Sequence, residues 1–319
     1  DVTTGNVASA EIFGRGTITN TLKGQIQVTG TKIWKDENRT SRPSDITLTL
    51  YRWSDRSSEV NREKVTTANV PAMTLTWDKT NTNEWKYTYS NLPQFDSYGA
   101  LYHYKVEETT PAHYRTEYKD ALGREIHNLG LVTFHVEKKW EAENSAKKEI
   151  TVGIYRTTEL TIPADSSEDG TGSSVLIGQV TLNSGNNWEW SGDSLHGTTF
   201  DQRTYGEAEE KPYLYYAREL QIGSTGVPAG KAGRLVEADG YRYAVKEEMI
   251  PSALIADQAV PDSMTTVITN TQLTDLTVVK NWIDNNNQYN TRPDTPDGLE
   301  LTLYRKAEGD KDFTKLTDT

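Results

Sequence analysis

The 319-residue sequence lacks cysteine altogether, so its domains cannot be stabilised by disulfides. It also lacks an apolar run long enough to span a membrane, a secretory signal peptide and a sorting tail, which predicts an internal fragment of a larger protein. Basic residues are fewer than acidic ones, and the net charge is −12. Because phosphate binding requires a basic surface, nucleic acid is excluded as a partner.

The signatures of common enzymes are also missing. The five histidines show no metal-ligand spacing, and the sequence contains no nucleophile elbow, phosphate-binding loop or dinucleotide fingerprint. Acidic loops that begin at Asp36 and Asp284 could offer oxygen ligands to calcium, but neither matches an EF-hand, and polar turns are the simpler interpretation. We therefore expect no metal, no cofactor and no enzyme that turns over a substrate.

The sequence does contain an internal repeat, which predicts the architecture. Each copy begins with a lysine two positions before a tryptophan, at Lys32, Lys138 and Lys280. Three further segments recur in a constant order. They are an alternating strand ending in Tyr-Arg (45–52, 149–156, 298–305), a tyrosine-rich strand ending in acid (102–108, 241–248) and a closing strand ending in asparagine (126–128, 268–270).

The spacing of these segments predicts two complete repeats, at residues 23–131 and 132–272, here called the first and second repeats. The closing motif also occurs at 18–20, so residues 1–22 are predicted to be the tail of an upstream repeat. Residues 273–319 are predicted to begin a further one. Short, regularly spaced strands without an amphipathic helix predict an all-β chain of β-sandwiches, and the short links predict a stiff rod.

The second repeat is longer than the first, and the excess is predicted at residues 197–240. This segment contains glycine-rich turns and a run of tyrosines. The simpler interpretation is an extra hairpin or a long loop. The alternative is an insertion that contacts a ligand, because binding residues concentrate on loops.

Strand alternation places three polar side chains of the second repeat in its core. Lys138 shares a face with Val136 and Trp140, and Asn270 and Glu247 also face inward. Burial lowers the pKa of an amine and raises that of a carboxyl group. A neutral amine could then attack the asparagine carboxamide, with loss of ammonia and formation of a Lys–Asn amide crosslink.

The ordered motifs resemble the Cna B-type domains of Gram-positive surface adhesins and pilins, and the resemblance covers essentially the whole chain. It implies an immunoglobulin-like β-sandwich with a spontaneous Lys–Asn isopeptide bond promoted by a buried acid. The residues that it implies are Lys32, Glu108 and Asn128 in the first repeat, and Lys138, Glu247 and Asn270 in the second. Asn20 and Lys280 would be half-sets whose partners lie outside the chain.

Two alternatives remain open at these sites. In the first repeat, strand parity selects Glu108 as the acid, whereas the spacing back from Pro111 selects Glu107. In both repeats, the lysine, acid and asparagine could instead form a hydrogen-bonded core cluster with no covalent bond, or the lysine could extend to the surface.

The sequence thus predicts a stalk or spacer of an extracellular, cell-wall-anchored adhesin or pilus-like protein. Its partners would be neighbouring domains of the same surface protein, and it would have no membrane segment of its own. The alternative function is binding of a host matrix protein or carbohydrate through residues 197–240. A carbohydrate-binding module would need exposed tryptophans in a planar row, whereas the repeat predicts buried ones.

Overall fold

The structure is a computed structural model that describes residues 23–36, 39, 41–163, 174–228, 234–256, 258–292, 300–306 and 311–316. The predicted upstream tail, including Asn20, lies outside the described residues. The chain divides into two compact bodies after Leu273. The described residues are mostly β-strand, and their helical segments are three short 3-10 turns at Glu59–Asn61, Asn144–Ala146 and Ser184–Asn186. None of these is long and apolar enough to cross a membrane. The all-β prediction is confirmed.

The first repeat is a sandwich of two sheets. Its strands are β1 (Gln25–Lys35), β2 (Leu48–Ser54), β3 (Glu63–Lys64), β4 (Thr74–Asp78), β5 (Glu84–Pro93), β6 (Tyr102–Glu108), β7 (Tyr114–Tyr118) and β8 (Glu125–Gly130). One sheet has the order β4-β5-β1-β8-β7, and the other has the order β3-β2-β6. Alternate side chains of the two sheets meet in one core that includes Val28, Leu50, Tyr87, Val106 and Ile126.

The second repeat has the same plan with additional strands. Its strands are β9 (Thr133–Glu141), β10 (Ile150–Thr157), β11 (Ser174–Leu182), β12 (Glu189–Gly192), β13 (Ser194–Leu195), β14 (Thr198–Thr199), β15 (Leu214–Ile222), β16 (Thr225–Gly226), β17 (Arg234–Ala238), β18 (Tyr241–Ile250) and β19 (Ser263–Leu273). The sheet orders are β12-β9-β19-β18-β17 and β11-β10-β15-β16, with β13 and β14 as a separate pair. Their inward side chains form a single core.

In each sandwich the first and last strands lie side by side and parallel, in the same register. Lys32 pairs with Ile126 and Trp34 with Asn128 across β1 and β8. Across β9 and β19, Lys138 pairs with Ile268, and Asn270 pairs with Trp140. The two strand pairs therefore place a lysine and an asparagine at equivalent, diagonally adjacent positions on the core face.

The interpretation of residues 197–240 as an added hairpin or loop is wrong for the middle of that segment. Strand β15 pairs along its whole length with β10, and its residues Tyr215, Tyr216 and Ala217 are buried. It is the counterpart of β6, which pairs with β2 in the first repeat. The additional residues of the second repeat form two separate segments, 193–213 and 223–240, on either side of this core strand.

The first of these segments, 193–213, contacts the first repeat. Asp201 accepts two hydrogen bonds from Arg115, at 2.8 and 3.0 Å. The Tyr205 hydroxyl donates to the carbonyl oxygens of Lys35 and Gly130, at 2.9 and 3.1 Å. A Cβ atom on Gly130 would lie 2.1 Å from the side-chain oxygen of Gln202, so a larger residue there would have to displace that side chain. The two sandwiches are therefore joined by directed polar contacts.

The second compact body contains the short pair β20 (Tyr304–Arg305) and β21 (Thr314–Lys315). The side chains of Lys280 and Trp282 are exposed, and the Lys280 amine lies 4.8 Å from the centroid of the Trp282 ring. Arg292 pairs with Asp284, as Arg42 pairs with Asp36 in the first repeat. The local cluster of lysine, tryptophan, arginine and aspartate is thus repeated at the predicted start of the third copy.

Candidate crosslinking sites

The first site lies between the two sheets of the first repeat. Lys32 on β1 and Asn128 on β8 are both fully buried, and Glu108 reaches them from β6 in the facing sheet. The lysine Nζ lies 3.6 Å from Glu108 Oε2, and the Asn128 amide donates to Glu108 Oε1 at 3.1 Å. Thr116 donates to Asn128 Oδ1 at 3.0 Å and contacts Glu108 as well.

Burial shifts the protonation of both ionisable groups at this site. Desolvation lowers the pKa of Lys32 to about 7, an effect that the nearby Glu108 carboxyl partly opposes. Desolvation likewise raises the pKa of Glu108, against the opposing charge of Lys32. The Lys32 amine makes no hydrogen bond to any described residue, although it lies 4.6 Å from the centroid of the Trp34 ring. Burial thus shifts both groups towards their neutral forms.

The second site repeats this geometry with a different glutamate. Lys138 on β9 and Asn270 on β19 are buried, and the carboxyl between them belongs to Glu219 on β15, which is fully buried. The Lys138 Nζ lies 3.6 Å from Glu219 Oε2, and the Asn270 amide donates to Glu219 Oε1 at 2.8 Å. As in the first repeat, the acid reaches the pair from the facing sheet.

Desolvation also dominates the titration of the second site. It lowers the pKa of Lys138 to about 8 and raises that of Glu219. Within the described part of the chain, Lys138 Nζ, Glu219 Oε2 and Asn270 Oδ1 are buried without a hydrogen-bond partner. Three unsatisfied polar atoms in one apolar core lower the stability of the fold, so their presence calls for an explanation. They belong to the amine, carboxyl and carboxamide groups that an amide-forming reaction would use.

The structure does not bring Glu247 into this cluster, which corrects its expected position. Its carboxyl group pairs with Arg234 from β17 and accepts the backbone N–H of Glu219 at 2.8 Å. Glu247 does face inward, as parity predicts, but it lies opposite Ile268 on the same sheet as Asn270. A carboxyl from the facing sheet occupies the space between lysine and asparagine instead.

The remaining predicted residues are placed as follows. Glu107 points away from the first site and pairs with Arg62 at 2.9 Å, so Glu108 alone of the two acids lies against Lys32. The carboxylate of Asp36 is occupied by Arg42 and by the Tyr114 hydroxyl at 2.7 Å. No group of histidine and acidic residues in the described ranges could hold a metal ion.

Glu219 was missed because two strands of the second repeat carry the same alternating signal. Tyr243, Val245 and Glu247 follow the pattern of tyrosine, apolar residue and glutamate at alternate positions, which Tyr104, Val106 and Glu108 show in the first repeat. Tyr215, Ala217 and Glu219 show it too. The pairing of β15 with β10 is what distinguishes the true counterpart of β6.

Comparisons with known proteins agree with this architecture. Residues 28–129 match the model of the Cna protein B-type domain. The collagen adhesin of Staphylococcus aureus is 23% identical over 300 residues, which cover 92% of this chain but only 19% of that protein. This chain therefore spans about a fifth of the length of that relative.

Solved structures of surface proteins are also similar to parts of the chain. A single B repeat unit of the S. aureus collagen-binding surface protein is 20% identical, covers 78% of this chain and 98% of its own, and has a TM-score of 0.24. A major pilin of Streptococcus pyogenes is 13% identical, with coverages of 79% and 98% and a TM-score of 0.23. Residues 28–129 thus match the Cna B-type domain family, in a chain of immunoglobulin-like β-sandwiches.

Proposed function

We propose that each sandwich forms one intramolecular isopeptide bond, between Lys32 and Asn128 in the first repeat and between Lys138 and Asn270 in the second. Glu108 and Glu219 are the promoting acids. One observation carries the proposal: both repeats bury a lysine, an asparagine and a carboxyl group in the same arrangement, with 3.6 Å between amine and carboxyl. That two separate sets of residues share this arrangement supports one common reaction.

The chemistry balances within each site. The neutral lysine amine attacks the asparagine Cγ, and a C–N bond forms. The protonated glutamate gives its proton to the departing amide nitrogen, which in the unreacted site donates a hydrogen bond to the glutamate, and the nitrogen leaves as ammonia. The glutamate then takes back a proton from the former lysine nitrogen. Each chain reacts once per site, so the protein is not a turnover enzyme.

We infer from these bonds a mechanical role, as a stalk or spacer in a surface adhesin or pilus-like protein. A bond between the first and last strands of a sandwich carries tension across the domain through covalent links, so the strands between them need not unfold. It also restricts the unfolded chain, as a disulfide with a long loop does. The similarity to a collagen adhesin and to pilins supports this setting and an extracellular, wall-anchored location.

Binding of a host matrix protein or carbohydrate through residues 197–240 is a weaker candidate. In its favour, the similar S. aureus protein is named for collagen. Against it, β15 in this segment is a core strand, and residues 201–205 contact the first repeat. Tryptophans 34 and 85 are buried, and Trp140 and Trp188 pack against the core, which leaves these four unsuited to a sugar-binding row.

Intact mass tests the proposal directly. The natively folded protein should be lighter than its calculated mass by two molecules of ammonia, and peptide mapping should recover Lys32 joined to Asn128 and Lys138 joined to Asn270. Glu219→Gln should remove the second bond only, and Glu108→Gln the first. Glu107→Gln is the matched control, because Glu107 pairs with Arg62 outside the site. The calculated mass without loss, or a bond that survives Glu219→Gln at full yield, contradicts the proposal.

A further inference from the structure

The two promoting glutamates are held by different side chains at one shared position. The backbone N–H of Glu108 donates to the Tyr118 hydroxyl oxygen at 2.7 Å. The backbone N–H of Glu219 donates to a carboxylate oxygen of Glu247 at 2.8 Å. In both sandwiches the acceptor belongs to the strand next to the closing strand, in the sheet opposite the glutamate.

Register shows that these acceptors are equivalent. Tyr118 on β7 lies opposite Ile126, two residues before the reacting asparagine of β8. Glu247 on β18 lies opposite Ile268, also two residues before the asparagine of β19. A tyrosine and a glutamate thus occupy the same place relative to each site, although the two residues share no chemistry beyond an oxygen that can accept a hydrogen bond.

Among the residues that the structure describes, neither N–H group has a partner strand on that side. Strand β6 is at the edge of its sheet, and β16 pairs with β15 only at Gln221 and Ile222. The Glu219 N–H bond is partly buried, where an unpaired donor would be unfavourable, whereas the Glu108 N–H bond is exposed, so the Tyr118 hydroxyl there replaces a mobile water partner. The acceptor fixes the backbone from which the promoting carboxyl extends, and therefore the position of that carboxyl.

We propose that Tyr118 and Glu247 are positioning residues that hold the promoting glutamates, each through its backbone N–H, against the lysine and asparagine. This inference rests on the crosslinking function proposed above. It also gives the second added segment of the second repeat, residues 223–240, a role at the site. Strand β17 in this segment supplies Arg234, whose side chain is 7% exposed and pairs with the 6% exposed side chain of Glu247.

Arg234 explains how the buried carboxylate of Glu247 can be the hydrogen-bond acceptor in the second repeat, where the first repeat has the neutral hydroxyl of Tyr118. Its guanidinium neutralises Glu247 and also donates to the carbonyl oxygen of Pro228 at 2.9 Å. In the described part of the first repeat, the sheet ends at β7 and has no strand that corresponds to β17. The second repeat therefore has both the strand that carries the arginine and the carboxylate acceptor. The first repeat has the hydroxyl acceptor instead.

The test uses each repeat as the control for the other in one chain. Tyr118→Phe removes the hydroxyl and keeps the ring, and it should slow the Lys32–Asn128 bond roughly fivefold while the Lys138–Asn270 bond forms at its normal rate. Glu247→Leu should do the reverse. Glu247→Gln keeps an acceptor oxygen and should restore the second bond to within about twofold of the wild-type rate. Peptide mapping at successive times after synthesis measures both bonds.

Amide hydrogen exchange at Glu108 supplies a second readout, in a Lys32→Met background where no bond forms. Tyr118→Phe should speed exchange of that amide. The proposal is overturned if both bonds form at wild-type rates in all three variants, if one substitution slows both bonds equally, or if Glu247→Gln and Glu247→Leu behave alike. Absence of both bonds from the wild-type protein would overturn the crosslinking itself, which is a distinguishable result.

Discussion

Replacing Lys138 by methionine should remove the second crosslink with little disturbance of the core. Methionine is unbranched and close to lysine in size, so it can fill the space beside Trp140 and Glu219 without leaving a large cavity. Glu219 has a raised pKa and can remain protonated and hydrogen-bonded to Asn270. The change in stability should therefore report mainly the loss of the covalent bond.

The magnitude follows from the length of the closed loop. Lys138 and Asn270 are about 130 residues apart, and the chain-entropy relation for a crosslink of this length gives about 5 kcal/mol at 25 °C. For a domain of this size, that loss corresponds to a fall in Tm on the order of 10–20 °C. The denaturant m-value should rise as well, because the uncrosslinked chain exposes more surface on unfolding.

Guanidinium unfolding followed by tryptophan fluorescence measures both quantities, and intact mass verifies that the variant has lost one bond. Lys139→Met is the matched control, because Lys139 is the exposed neighbour that pairs with Glu137 on the surface. It should change the free energy of unfolding by less than about 0.5 kcal/mol. A Lys138→Met protein within about 1 kcal/mol of wild type would refute the reasoning, because the bond would then add no loop-closure stability.

Two further predictions concern pH and the contact between the sandwiches. Because the attacking amine must be neutral and the lysine pKa is lowered, each bond should form faster as pH rises towards the pKa, about 7 for Lys32 and about 8 for Lys138. In timed peptide maps both bonds should therefore form more slowly at pH 6 than at pH 7, and equal rates at the two pH values would contradict the requirement for a neutral amine. Separately, Arg115→Met should weaken the contact with Asp201 by about 1 kcal/mol in a double-mutant cycle with Asp201→Asn. Lys119→Met, which loses an ion pair within the first repeat, should show no such coupling, and a coupling near zero for Arg115 would mean that segment 193–213 does not join the sandwiches energetically.

The sequence alone determined the features that depend on one strand at a time. Side chains alternate along a strand regardless of its neighbours, so the inward positions of Lys32, Lys138, Asn128 and Asn270 could be read from apolar residues two positions away. The order of motifs likewise predicted two sandwiches and the all-β class. These signals are local because each strand must bury one face whatever strand it pairs with.

Only the tertiary structure decided which carboxyl group enters each site. The acid comes from the facing sheet, and parity shows that a side chain points inward without showing what lies opposite. Glu219 and Glu247 both alternate with tyrosine and an apolar residue, and both are inward-facing. The pairing of β15 with β10 brings Glu219 across the core to Lys138, while the neighbour of the closing strand carries Glu247 to Arg234. Strand pairing across about 60 residues of intervening chain is a long-range property. The periodicity of a single strand does not indicate which strand it will pair with.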